Sequence, residues 1–316
     1  MREQIRTDIG TAKNMLRERL LDRMPRPGDY STGIDGVNLY RRDEKGQSKN
    51  CFYKPAIIKL VQGCKRSMVG SDEFFYGEND LLVAGVDMPN TSFLMDASPD
   101  KPFLSLTIDL DKDIIAQLAL TTPLTGNESP SSSRGLLIQD VDAEMLDALL
   151  RLEELIDRPE MRPVMAPMII REIHFRLLLG PNGHLLRSFH TYGSQSHQVA
   201  RAITWLKQNF HKPVLVEELA EKVNMAPSTF HRHFKEVTTL SPVQYQKRLR
   251  LHAAQHLMLA ENYDSVRASE AVGYESLTQF NREYKRLFGD PPRRDIIKQR
   301  HSCFPAAPDS KTASSV

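Results

Sequence analysis

Two stretches near the C-terminus carry side chains able to read a nucleic acid. In the first, Ser228, His231, Arg232 and Lys235 share one side of a helical wheel, with Thr229 beside them; in the second, Thr278, Gln279, Asn281, Arg282, Lys285 and Arg286 do. Short polar groups can hydrogen-bond base edges in a major groove, while Lys and Arg neutralise phosphates. An ordinary solvated helix face has the same composition. What sets these two apart is that the arrangement occurs twice in tandem.

The flanking residues say what must position them. In VLVEELAEKVNMAPSTFHRHFKEV, Leu215, Leu219 and Val223 recur at helical spacing and Asn224-Met225-Ala226 breaks the pattern. Pro227 then suits the first turn of a new helix, where no backbone donor is needed, and Phe230, Phe234 and Val237 stripe that helix. In the second unit Val266 and Ala271 mark a short helix and Gly273-Tyr274 a turn. Phe280, Tyr284 and Phe288 stripe the helix after it, and Gly289 ends it. Between the units, Leu249, Ala253, Leu257 and Ala260 give an apolar stripe along Pro242–Ala260, with nothing inside to break a helix. Such a rod is roughly 28 Å long at about 1.5 Å per residue. Major grooves recur on one DNA face about every 34 Å, so it could hold two reading helices in successive grooves.

At 316 residues, with 40% hydrophobic and 26% charged, the chain fits two globular domains. No apolar run approaches the roughly 18 residues of a membrane span. The start MREQIRTDIG lacks the apolar core of an export signal, and three unevenly placed cysteines argue against a disulfide framework. A cytoplasmic protein is expected. The net charge of +2 hides an asymmetry: residues 195–300 hold 17 Lys+Arg against 11 Asp+Glu, while residues 1–194 hold 24 against 28. The cation excess coincides with the two polar faces, as phosphate binding requires.

Upstream, a helix is expected over Thr11–Met24, followed by a Pro25–Gly28 turn. Strand-like runs follow at Gly36–Tyr40, Pro55–Gly63, Phe74–Tyr76, Leu81–Val86, Ser92–Met95 and Phe103–Ile108, punctuated by breakers such as Gly77–Asp80 and Met88-Pro89-Asn90. That spacing predicts a small barrel or sandwich. No His precedes Ile173, which disfavours a His-rich metal site or a metal-dependent enzyme, and neither a metal nor a cofactor is expected. Cys51 and Cys64 flank one strand; they read as small buried hydrophobes or as a thiol sensor. Residues 113–180 read as helices: Asp113–Leu120, a polar loop over Thr121–Arg134, a seam of Val141, Met145, Leu149, Leu152 and Ile156, and Pro163–Leu179. The seam can serve a homodimer or pack on the chain's own strands. His174 reads as a packing or surface residue. A polar TYGSQSH segment at Thr191–His197 marks the boundary, dividing the chain into 1–193, 194–300 and a disordered tail, 301–316.

Residues 214–292 resemble the DNA-binding domain of AraC/XylS-type transcriptional regulators. The resemblance is carried by Leu219-Ala220, Phe230 to Lys235, Ser241-Pro242, Tyr245, Arg248 to Leu251, Ala254, Val272 to Ser276, Phe280, Arg282, Lys285, Phe288-Gly289 and Pro292. It implies base readers at Ser228, His231, Arg232, Thr278, Gln279, Asn281 and Arg282, and phosphate contacts at Ser276 and Lys285. Departures are Ala226 in place of a capping Ser, Thr239 in place of Gly, Ala268-Ser269 in place of Ile-Ala, and Asp295-Ile296 in place of Tyr-Arg. Tyr53-Lys54-Pro55, Gln62 to Lys65, Gly77 to Leu82 and Met88-Pro89 resemble the cupin-like N-terminal domain of one branch of the same family. The implied fold is α+β: a cupin-like β-barrel with a helical hairpin, then an all-α domain with two helix-turn-helix units joined by a long helix.

The leading expectation is a one-component regulator with promoter DNA and a small-molecule effector as partners, and RNA polymerase as a further partner if it activates. The alternatives are a cupin enzyme fused to a DNA-binding module, which would need an acid/base or metal cluster, and a ligand-independent DNA-bending protein, which would show little sequence preference.

Overall fold

Short β-rich runs set the architecture of the first half. The protein is described here by a computed structural model covering residues 9–46, 49–70, 72–122 and 134–303. Its strands are β1 (Gly28–Ser31), β2 (Val37–Arg42), β3 (Lys49–Tyr53), β4 (Ala56–Gln62), β5 (Lys65–Val69), β6 (Asp72–Tyr76), β7 (Asp80–Ala84), β8 (Met88–Leu94), β9 (Phe103–Asp109) and β10 (Leu136–Asp140). They form two antiparallel sheets, ordered β1-β2-β9-β4-β7-β10 and β3-β8-β5-β6. The strands expected from the spacing are observed, in two sheets.

The expected breaker Met88-Pro89-Asn90 instead opens β8. Pro89 pairs with Phe52 of β3, whereas the β5 ladder begins only at Thr91, so the missing N–H costs no bond on that side. β10 escaped the sequence reading because Leu136–Ile138 runs straight into an apolar helix.

Alternate residues of the larger sheet, including Leu39, Ile57, Val83, Leu106 and Leu137, enter one core with the helices. These are α1 (Ile9–Arg23), α2 (Lys112–Thr121), α3 (Ala143–Glu154) and α4 (Arg162–Leu179). The seam at 141–156 therefore has its partner within the chain: Val141, Met145, Leu149 and Leu152 are buried in this core and Ile156 packs against it. Of the two fates the sequence left open for this seam, packing on the chain's own core is the one its residues take. Arg19 and Arg23 of α1 clamp α3 through the buried carboxylate of Glu153, at 3.2 and 2.8 Å, and through Glu154 and Asp157. A cleft of about 480 Å³ opens there, and two of the arginines lining it, Arg19 and Arg23, are engaged by these carboxylates. Apolar side chains left exposed on these helices include Ile9 and Met15 on α1, Leu120 on α2, and Val164, Met168 and Leu179 on α4.

His174 of α4 is fully buried, a packing residue. Its Nε2 accepts from the Asp111 backbone N–H at 2.9 Å and its Nδ1 faces the Ile170 carbonyl at 2.7 Å, which fixes the Nδ1–H tautomer. Burial pushes its pKa down. A short helix, α5 (Gly183–His190), not expected from the sequence, precedes α6 (Gln195–Asn209).

The chain folds as two compact units, Met1–Trp205 with Leu215–Pro242, and Leu206–Val214 with Val243–Val316. The first contains α7 (Val216–Lys222) and α8 (Pro227–Thr238). The second contains α10 (Ser265–Ala271), α11 (Leu277–Phe288), α12 (Pro292–Cys303) and most of α9 (Pro242–Ala260). The tail expected from residue 301 begins as helix, and its remainder from 304 lies outside the described residues. Of the apolar line expected on α9, Leu249 is buried, Ala253 and Leu257 pack beside the core and Ala260 is exposed, while Tyr245, Leu251, Ala254 and Met258 are buried deepest. A helix packed on more than one side buries more than one stripe.

Three histidines give stability a pH signature. Burial, with His197 and Lys112 nearby, pushes His190 down to about 4, and burial, with the Arg248 cation nearby, does the same to His252. His174 shifts the same way. The unfolded chain takes up protons near pH 6.5 that the folded chain refuses at that pH, and at His190 and His252 refuses until about pH 4, so stability falls as pH drops below 6.5. The thermal midpoint is expected to decline between pH 7.5 and 5, where carboxylates stay ionised, and His252→Gln to flatten the decline. A midpoint that is level across this range would contradict the assignment.

Candidate nucleic-acid interface

The two reading units share one backbone design. Each has a seven-residue helix, a tight turn with one left-handed residue, and a twelve-residue helix. In the first turn Asn224 (φ 57°) donates to the Glu221 carbonyl at 2.9 Å and Met225 to Ala220 at 2.9 Å. In the second, Gly273 (φ 84°) donates to Glu270 at 3.0 Å and Tyr274 to Ser269 at 2.9 Å. The long helices end alike: the N–H groups of Thr239 and Gly289, both at positive φ, donate to Lys235 and Lys285 carbonyls at 2.8 Å. Ring pairs repeat too, Phe230–Phe234 at 5.4 Å and Phe280–Tyr284 at 5.5 Å, all four buried.

With those rings inward, the predicted readers point outward. Ser228, His231, Arg232 and Lys235 are exposed on α8, with Thr229 half-buried beside them; Ser276, Thr278, Gln279, Arg282, Lys285 and Arg286 are exposed at α11, and Asn281 is half-buried. Lys235, Arg282, Lys285 and Arg286 make no ion pair among the described residues, so their charge is available to a polyanion. Arg232 has only a 3.9 Å approach to Glu236, an exposed pair worth little. Ser276 caps α11 by accepting from the Gln279 N–H at 3.3 Å, and the N-terminus of a helix of this length favours phosphate. Ala226 makes no side-chain cap on α8.

Several supporting residues were not singled out as functional from the sequence. Glu283 lies behind the second reading face, accepting from Gln279 Nε2 at 3.1 Å, Tyr274 Oη at 2.8 Å and Lys247 Nζ at 2.7 Å. Burial pushes its pKa up, but these bonds together outweigh it and hold the carboxyl below its ordinary value. It fixes the Gln279 amide in place. Arg250 donates to the carbonyls of Phe210, Gly273 and Lys212 at 2.7, 2.8 and 3.0 Å, pinning the second turn. A Cβ on Gly273 would fall 2.0 Å from the His211 carbonyl oxygen, so only glycine fits. The departures from the resembled pattern are built in as well. Asp295 accepts from Tyr284 Oη at 2.7 Å and Gln255 at 2.8 Å, Ile296 joins the core, and Ser269 Oγ donates to the Val266 carbonyl.

A second cluster lies in the sheets. The face of the larger sheet turned from the helices is buried at Ile58, Leu60, Leu82, Ala84, Ser105 and Leu136, and one face of the smaller sheet is buried at Tyr53, Ser67, Val69, Tyr76, Asn90 and Ser92. Tyr53 Oη is 2.8 Å from Ser67 Oγ and 2.7 Å from Tyr76 Oη. Burial, with the Tyr53 hydroxyl beside it, keeps Tyr76 protonated. The alternation of β5 and β8 carries this signal, but only after their register is known. Cys64 is a free thiol, half-buried; the side chain of Cys51 lies outside the described residues, so the thiol-sensor expectation stays with the sequence.

A family described as the AraC-type transcriptional regulator N-terminus matches residues 33–185, and a helix-turn-helix domain family matches residues 219–295. YobQ, an uncharacterised HTH-type transcriptional regulator of Bacillus subtilis, is 30% identical over 110 residues, 35% of this chain and 45% of that protein. The HTH-type transcriptional activator RhaS of Mannheimia succiniciproducens is 27% identical over 165 residues, 52% of this chain and 59% of RhaS. The chain thus covers less than two thirds of either relative. ToxT of Vibrio cholerae, in a crystal structure with bound unsaturated fatty acid, has the same fold: TM-score 0.54 and 9% identity, covering 83% of this chain and 94% of ToxT.

Proposed function

Because the chain carries both the N-terminal domain of AraC-type transcriptional regulators and a helix-turn-helix domain, we propose that it is a sequence-specific DNA-binding regulator whose N-terminal domain senses a small molecule. Residues 1–193 sense and residues 194–300 read DNA. The observation that carries this is the repeated reading unit, whose outward faces hold unpaired cations and short polar side chains. Arg232 and Arg282 read bases, with Ser228, Thr229, His231, Thr278, Gln279 and Asn281 beside them. Lys235, Ser276, Lys285 and Arg286 contact phosphates. The effector binds between the sheets, where the hydroxyls of Tyr53, Ser67 and Tyr76 and the Asn90 amide offer directional partners in an otherwise apolar interior. In an activating role the further partner is RNA polymerase.

The test is selection. The full chain, offered a library of random-sequence duplexes, enriches a defined motif; a chain that retains all sequences equally at moderate salt is a non-specific DNA-bending protein instead. The match of residues 33–185 to a regulator N-terminus favours this reading over a cupin enzyme.

A further inference from the structure

The first reading unit ends differently from the second. Gly289 closes α11 at φ 86° and a Cβ there would meet nothing within 4 Å. Its counterpart at the end of α8 is Thr239, a β-branched residue held at φ 61°. Such a residue keeps a left-handed backbone only where its surroundings impose it.

The surroundings are the sensor sheets. Gly70, at the tip of the β5–β6 hairpin with φ +62°, faces Thr239 so closely that a Cβ there would lie 2.2 Å from Thr239 Oγ1 and 3.1 Å from its carbonyl oxygen. Gly135, just before β10, donates its N–H to the Val237 carbonyl in the last turn of α8 at 3.0 Å and accepts from Gly85 N–H at 2.9 Å. A Cβ on Gly135 would lie 2.6 Å from Val86, 3.0 Å from Met88 Sδ and 3.3 Å from the Val237 carbonyl. Two bare glycine backbones thus receive the C-terminal end of the reading helix, and Val237, Thr238 and Leu240 are buried there.

The contact also leads inward. Met88, which packs on Gly135, is the cross-strand partner of Tyr53, and Tyr53 belongs to the buried hydroxyl cluster. A ligand that moved Tyr53 would press on Met88, and through it on the Gly135–Val237 hydrogen bond.

We infer that Gly70, Gly135, Val237 and Thr239 form a latch that clamps the end of α8 to the sensor sheets, holding the protein in a weakly DNA-binding state until an effector beside Tyr53 opens it. This rests on the reading of α8 as a DNA-reading helix. Seating a reading helix in a groove needs small adjustments of its ends, and a backbone clamp to another domain removes them.

The experiment uses the full chain with Cys51, Cys64 and Cys303 changed to Ser, and with Gly70→Cys and Thr239→Cys added. A disulfide is expected to form on mild oxidation, read by non-reducing electrophoresis and peptide mass. The tethered chain should bind a duplex selected by the wild-type chain about tenfold more weakly than after reduction, a mid-range coupling. Gly70→Ala, whose Cβ would fall 2.2 Å from Thr239 Oγ1 and so force the latch apart, should tighten binding to the same duplex about threefold or more without added effector. Failure to cross-link, or equal affinity before and after reduction together with unchanged binding by Gly70→Ala, overturns the latch. A wild-type chain that selects no duplex defeats the DNA-binding reading separately, since the cross-link reports the contact without DNA.

Discussion

Phe280→Ala is expected to lower the free energy of unfolding by about 3–5 kcal/mol, as deletion of a fully buried aromatic ring does. Phe280 has no exposed surface, and its ring meets Tyr274 at 5.3 Å and Tyr284 at 5.5 Å. It joins α11 to the turn that sets the reading face. The loss should be local to one compact unit. Trp205, the single tryptophan, belongs to the other unit. Denaturation followed by far-ultraviolet dichroism should therefore shift more than denaturation followed by tryptophan fluorescence. A change below about 1 kcal/mol would mean that this core is far looser than its burial implies.

The second large effect concerns recognition. Arg232→Ala and Arg282→Ala should each weaken binding to a selected duplex by about 1–3 kcal/mol and relax the preference at one part of the motif. They act at separate reading units, so the double variant should lose roughly the sum, about 2–6 kcal/mol. Both guanidiniums are exposed, and removing them leaves the Phe230–Phe234 and Phe280–Tyr284 cores intact, so the thermal midpoint should barely move. Titration against the selected duplex and against scrambled DNA separates the roles: a loss equal on both makes these arginines phosphate contacts.

The DNA-reading half was legible because its signals are local. Pro227 at a helix start, Phe230/Phe234 and Phe280/Tyr284 at four-residue spacing, and Gly289 at a helix end each act through neighbours in sequence. What the sequence could not yield depends on residues far apart. The role of Glu283 needs Lys247 and Tyr274, that of Asp295 needs Gln255 and Tyr284, and the seam at Val141–Leu152 could be assigned to the chain's own core only once α1 and the larger sheet were seen to cover it. The hydroxyl cluster of Tyr53, Ser67 and Tyr76 comes from three strands whose register no local pattern reveals. Thr239 was visible as a departure from glycine, but its partner Gly70 lies 169 positions earlier.

The central claim, that two separate helices of one chain read DNA, is tested most directly by hydroxyl-radical and methylation footprinting of the full chain on its selected duplex. The account predicts two separate protected major-groove patches, with Arg232→Ala erasing one and Arg282→Ala the other. A single patch, or two that fade together with either substitution, would contradict it.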